Sequence, residues 1–179
     1  MQFIESTLPG AWIINIEPSN DERGFLARTF CAEEFGARGL CTCWMQCSTV
    51  YTEKPGTLRG LHFQRAPHME VKLIRCTAGA VYDVIVDLRP DSPSFRHWFA
   101  TELTSSNRRM IYVPEGFAHG MQTLTASCEL FYMMSAFYSP LASAGVRWDD
   151  PAFGIVWPGA VVGGRVMTDK DRQWPDFHT

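Results

Sequence analysis

The stretch GAVYDVIVDLR, Gly79 to Arg89, alternates with period two. Ala80, Tyr82, Val84, Val86 and Leu88 fall on one face of an extended chain, and Val81, Asp83, Ile85 and Asp87 on the other. Valine, isoleucine and tyrosine suit a pleated surface, so the stretch reads as a strand. Similar runs lie on either side: RGFLARTF from Arg23, CWMQCSTVYT from Cys43, EVKLIRC from Glu70, FRHWFATEL from Phe95, RMIYVPE from Arg109 and CELFYMMSAFY from Cys128. Turn chemistry separates them at Pro55-Gly56, RPDSP from Arg89, TSSN from Thr104 and SPLASAG from Ser139. One short helix is expected within Cys31 to Gly39, with Glu33 and Glu34 near its start. Short strands with little helix predict an all-β fold, a jelly-roll sandwich or barrel, as a single domain over residues 1–179.

The composition is that of an ordinary globular chain, with 46% hydrophobic and 20% charged residues. A net charge of −3 argues against general nucleic-acid binding, so an anionic ligand would need a local arginine cluster. The opening MQFIESTLPG has no basic segment followed by an apolar one, and no signal peptide is expected. Asp83 and Asp87 interrupt the longest apolar run, so no membrane span is expected either. Six cysteines, Cys31, Cys41, Cys43, Cys47, Cys76 and Cys128, are expected as reduced thiols of a cytoplasmic protein. Cys41, Cys43 and Cys47 share parity and lack paired C-x-x-C spacing, which reads as small core residues on one strand face.

Some strand faces carry charge where apolar residues belong. Glu70 and Lys72 share parity with Ile74, and Asp83 with Val81 and Ile85. Burying a charge costs several kcal/mol unless it is paired, so Lys72, Asp83 and His62 together predict a polar cavity inside the barrel. In GTLRGLHFQ, Gly56 to Gln64, Arg59 and His62 stand three apart, and a regular strand would point them to opposite faces. Both can face one ligand only across a bulge, which Gly60 is suited to host.

The spacing of Gly56 to His62, then Pro114, Gly116 and His119, resembles the two motifs of the cupins. Metal-binding cupins carry a second histidine where this chain has Gln64. Two imidazoles without a good third ligand make a poor zinc or iron site, so no metal is expected. A histidine free of metal is available for proton chemistry near neutral pH. His68, His97 and His178 have no such context and are expected at the surface.

The segments DERGF, GTLRGLHFQ, VKLIRCTAGAVYDVIVDLRPDSPSF, YVPEGFAHGMQTL, LFYMMSAFYSP, WDDPAFGIVWP and DKD run in order from Asp21 to Asp171. Together they resemble the dTDP-4-dehydrorhamnose 3,5-epimerase family. The resemblance implies a cupin-type jelly roll without cofactor or metal, a homodimer in which a strand crosses to the partner, and a nucleotide-diphosphate 4-keto-6-deoxyhexose as substrate. It implies that His62 is the base, Asp171 its carboxylate partner (with neighbouring Asp169 as the alternative), Lys72 the cation for an enolate, and Tyr132 the opposite-face acid. By the same resemblance Arg59 and Arg23 contact the diphosphate, with Gln46, His119 and Lys170 as further substrate contacts. Tyr138 and Phe117 are expected beside the base, and Arg23 and Phe25 at the neighbouring subunit's site.

Several positions depart from the family pattern. Arg28 and Ser143 replace glutamates, Gln46-Cys47-Ser48 stands for Gln-x-Asn, and Glu70-Val71 for Gln-Gly. These changes leave open a different nucleotide such as CDP, inversion at C3 alone, or a related ketoisomerase. A non-catalytic sugar- or metal-binding cupin is the remaining alternative, against which the retained His62, Lys72, Tyr132 and Asp171 weigh.

Overall fold

Hydrogen-bond pairing gathers the alternating runs into two antiparallel sheets in a computed structural model, which describes residues 1–159 and 164–177. The chain begins with β1 (Gln2–Glu5), β2 (Trp12–Asn15), the hairpin of β3 (Ser19–Asp21) and β4 (Gly24–Leu26), and helix α1 (Ala32–Gly36). Then come β5 (Gln46–Thr52), β6 (Leu58–Gln64), β7 (Lys72–Ala78), β8 (Ala80–Asp87) and β9 (Trp98–Thr104). β10 (Met110–Val113), β11 (Phe117–Thr123), β12 (Cys128–Met134) and β13 (Ser143–Gly145) complete the sheets, and helix α2 (Asp169–Arg172) follows. The larger sheet runs β1-β2-β10-β7-β12-β5 and the smaller β13-β6-β11-β8-β9. Strands distant in sequence lie side by side in both, as a jelly roll requires.

The main core fills the space between the sheets. Val81, Ile85 and Leu103 of the smaller sheet meet Ile74, Ile111 and Leu130 of the larger. Removing such side chains from water stabilises by ~1.5–3 kcal/mol each. The second face of β8 is covered too. Val84 and Val86 pack with Leu58 and Ala118 under Val146, Phe153 and Trp157 of the C-terminal segment. This explains why Gly79–Arg89 carries apolar residues at both parities. On the outside of the larger sheet, Phe35 of α1 packs with Ile14, Leu73, Met110 and Tyr112.

The bulge expected at Gly60 is present. Across β6 and β11, His62 pairs with His119 and Arg59 with Met121, so Gly60 and Leu61 on one strand oppose Gly120 alone on the other. Gly60 has φ +121°, in the region that favours glycine, and a Cβ there would lie 2.6 Å from the Gly120 Cα. Close backbone contact between the two glycines therefore requires both to lack side chains.

Two expectations fail. Cys43 and Cys47 are exposed, and Cys41 is only partly buried. The cysteines do not share one strand, because β5 starts at Gln46, and its odd positions lie on the outer face of the larger sheet. Of RGFLARTF only Gly24–Leu26 pairs, in a solvated hairpin. His68 and His97 are exposed as expected, while His178 lies outside the described residues.

Candidate active site

Charged side chains reach the interior of the sandwich from both sheets and from α2. They line a cavity of about 350 Å³. β6 supplies Arg59 and His62, and β11 supplies His119 and Met121. The opposite wall is Lys72 and Ile74 of β7, Leu130 and Tyr132 of β12, and Val50 of β5. Thr168, Lys170 and Asp171 close one side. The parity argument holds here, since Lys72 and Ile74 share a face and Tyr132 is the register partner of Ile74.

His62 is held by a carboxylate. Its Nε2 lies 2.6 Å from Asp171 Oδ1, and the Asp171 side chain is almost fully buried. With Nε2–H donating to the carboxylate, Nδ1 is left as the basic nitrogen. Burial alone would raise the Asp171 pKa. The hydrogen bond and charge of His62, helped by the Thr168 hydroxyl and the Gly60 amide, outweigh it and hold the group below the usual aspartate value. α2 is built to present this group: Thr168 caps the helix, accepting from the Asp171 amide at 3.2 Å. Asp169, the sequence alternative, is exposed.

A second imidazole–carboxylate pair lies beside the first. His119 Nε2 is 2.9 Å from Asp83 Oδ2, and Asp83 is wholly buried. Across the cavity Lys72 Nζ is 3.0 Å from Glu70 Oε1. Burial pushes the Tyr132 phenol up, and the Glu70 charge adds to the rise, while Ser48 and Arg59 act the other way. Tyr132 therefore keeps its proton at working pH and can donate it. Arg59 is steadied by Thr52 Oγ1 at 3.1 Å and the Tyr51 carbonyl at 3.4 Å. Among the described residues, no group of three or more His, Cys, Asp or Glu side chains converges as a metal would need.

Other expected contacts lie outside this cavity. Phe117 is buried in the main core with the Arg89 guanidinium over its ring at 4.6 Å, because its strand position faces the packed end of the sandwich. Tyr138 is exposed on the corner after β12, where its amide donates to Gln46 Oε1 at 2.6 Å, so both residues belong to that corner. Arg23 is exposed and paired with Asp21, and Phe25 sits on the same hairpin. Lys170 does line the cavity, and its ammonium lies 5.3 Å from the centre of the Trp174 ring. Trp174 itself was not singled out from the sequence. It stands edge-on to His62 and packs against Gly145, where a Cβ would come within 2.3 Å of the indole. Nothing in its local sequence marks it, since the contact depends on the C-terminal segment folding back over β6 and β13.

The fold and site define a jelly-roll protein equipped for acid–base chemistry on a ligand held between its sheets. The sequence matches the profile of the dTDP-4-dehydrorhamnose 3,5-epimerases over residues 5–179. It is similar to the dTDP-4-dehydrorhamnose 3,5-epimerase of Methanothermobacter thermautotrophicus, 40% identical over 97% of this chain and 92% of that protein. The crystal structure of the Elizabethkingia anophelis dTDP-4-dehydrorhamnose 3,5-epimerase superposes with TM-score 0.94 and 31% identity, covering 99% of this chain and 96% of that one. The Bacillus anthracis enzyme, solved with TDP and PPi bound, gives TM-score 0.92 and 37% identity over 98% of this chain and 99% of that one. The chain belongs to the dTDP-4-dehydrorhamnose 3,5-epimerase family, and it is an isomerase.

Proposed function

We propose that this protein epimerises a dTDP-linked 4-keto-6-deoxyhexose at C3 and C5 within one jelly-roll domain over residues 1–179. The observation that carries the reading is the His62–Asp171 pair, 2.6 Å apart, with His62 on the sheet opposite Tyr132 and Lys72. His62 Nδ1 removes the proton from a carbon beside the ketone, and the C–H electron pair passes into the carbonyl as an enolate. The Lys72 ammonium, in place before the charge develops, stabilises the negative 4-oxygen. Tyr132 then returns a proton from the opposite face, which inverts the centre. Solvent reloads the phenol and takes the proton from the imidazole, so the reaction is redox-neutral. Arg59 and His119 bind the diphosphate, with the guanidinium offering paired donors.

Two of the replaced positions, Arg28 and Ser143, lie away from the cavity lining. Arg28 is exposed and lies 3.4 Å from Glu34, and Ser143 sits on β13 beside Gln64. Glu70 touches Lys72 and Ser48 hydrogen-bonds Tyr132, both of which line the cavity. Two copies pair through the β3–β4 hairpin, where Phe25 is 46% and Leu26 80% exposed, carrying Arg23 and Phe25 toward the partner's site. Light scattering should give the mass of a dimer. The six free cysteines suit the reducing cytoplasm. No helix among the described residues is long and apolar enough to cross a membrane.

The test is incubation in D₂O with dTDP- and CDP-linked 4-keto-6-deoxyglucose, followed by NMR. Deuterium should enter C3 and C5 of the dTDP sugar with inversion at both. Absence of deuterium from both carbons with both nucleotides would sink the assignment, and exchange at C3 alone would restrict it to a single epimerisation.

A further inference from the structure

Glu70 stands where the resemblance leads one to expect glutamine, and it does not itself line the cavity. It lies behind Lys72. Its Oε1 accepts from Lys72 Nζ at 3.0 Å, with both side chains largely buried, 8% and 12% exposed. Its Oε2 accepts from Gln64 Nε2 at 3.1 Å. Gln64 is itself fixed, because its amide also reaches the carbonyls of His68 at 2.9 Å and Phe137 at 3.2 Å, and its Oε1 accepts from the Ser139 amide at 2.6 Å. Two donors thus converge on the two oxygens of one carboxylate, and a frame drawn from three separate segments supports it.

We propose that Glu70 is a positioning residue for Lys72, holding its ammonium at one point on the cavity wall through the carboxylate–Gln64 frame. The catalytic consequence rests on the assignment of Lys72 to the enolate oxygen. A lysine side chain has four rotatable bonds and, unheld, spreads over many rotamers. Stabilising a developing oxyanion needs the cation in place before the charge appears. The carboxylate also compensates the burial of the ammonium, which an apolar neighbour could not do. Placement needs only an oxygen aimed at Nζ, and a glutamine can offer one, since Gln64 keeps its carbonyl acceptors when Glu70 is changed.

Glu70→Met and Glu70→Gln in the full chain separate these properties, being alike in length and different in what they present to Lys72. Two readouts are taken. One is the deuterium-exchange kcat and KM. The other, made without substrate, is the rate at which acetic anhydride modifies Lys72, followed by peptide mass mapping. Glu70→Met should lower kcat at least ~10-fold with KM within ~2-fold, and acetylate Lys72 at least ~3-fold faster. Glu70→Gln should recover most of both losses. A Met variant matching wild type in either readout overturns the proposal, as does a Gln variant that falls as far as the Met variant. Wild-type protein that exchanges no hydrogen would remove the epimerase reading, and the labelling comparison would then decide alone whether Glu70 holds Lys72.

Discussion

His62 shows how one residue's chemistry depends on the chain around it. The imidazole comes from β6, its carboxylate from a helix more than a hundred residues later, at 2.6 Å. Replacing Asp171 by asparagine keeps the shape but offers an amide that favours the wrong tautomer, so kcat should fall by at least ~10²-fold while KM changes little. Steady-state epimerisation measures this, and a variant within threefold of wild type would mean Asp171 does not orient the base. Tyr132 makes the complementary case. With its phenol kept protonated by burial, Tyr132→Phe should still wash deuterium into the substrate through His62 but lose inversion. NMR of the recovered sugar distinguishes the two, and inverted product at an undiminished rate would remove Tyr132 from the acid role.

At the scale of elements, the bulge in β6 decides whether two polar side chains share one cavity. The Arg59–His62 spacing requires it once both side chains face one ligand, and Gly60 is the residue suited to host it. Gly60→Ala must put a side chain at φ +121° and a Cβ 2.8 Å from the His119 carbonyl. The expected cost is ~2–5 kcal/mol. Thermal melting should show it, and any folded fraction should epimerise poorly because Arg59 and His62 no longer converge. A stable and fully active alanine variant would mean that the close approach of β6 and β11 is not required. α2 teaches the opposite lesson. The resemblance named Asp171 of DKD with Asp169 as the alternative, and the Thr168 cap and the path back over β6 turn Asp171 to His62 and leave Asp169 in solvent.

For the molecule as a whole, stability and activity use different carboxylates. Asp87, wholly buried at the end of β8, accepts from Arg89, Ser92 and Ser94 and ties down the loop that follows. Burial would raise its pKa, but those bonds overcome it and lower it from 3.8 to about 2. A depressed carboxylate stabilises the fold fully above its unfolded pKa, and that contribution disappears as pH falls from about 4 through about 2. The shift corresponds to ~2 kcal/mol, or ~4–8 °C in Tm for a chain of this size. Asp87→Asn should melt lower at neutral pH and lose the part of the acid-side decline due to this group. Melting curves from pH 2 to 7 that parallel wild type would show that Asp87 is not the source.

The jelly roll was legible in the chain because period-two alternation and turn chemistry are local properties, and each strand declares its faces within a few residues. His62, Lys72 and the Gly60 bulge could be read the same way, from parity and spacing, whereas Tyr132 and Asp171 were marked only by the family resemblance. The exposed cysteines, the core position of Phe117, the His119–Asp83 pair and the Glu70–Lys72 frame could not. Each depends on which distant strand or loop lies opposite, and that is set when whole sheets and the C-terminal segment pack together, not by the neighbours of any one residue.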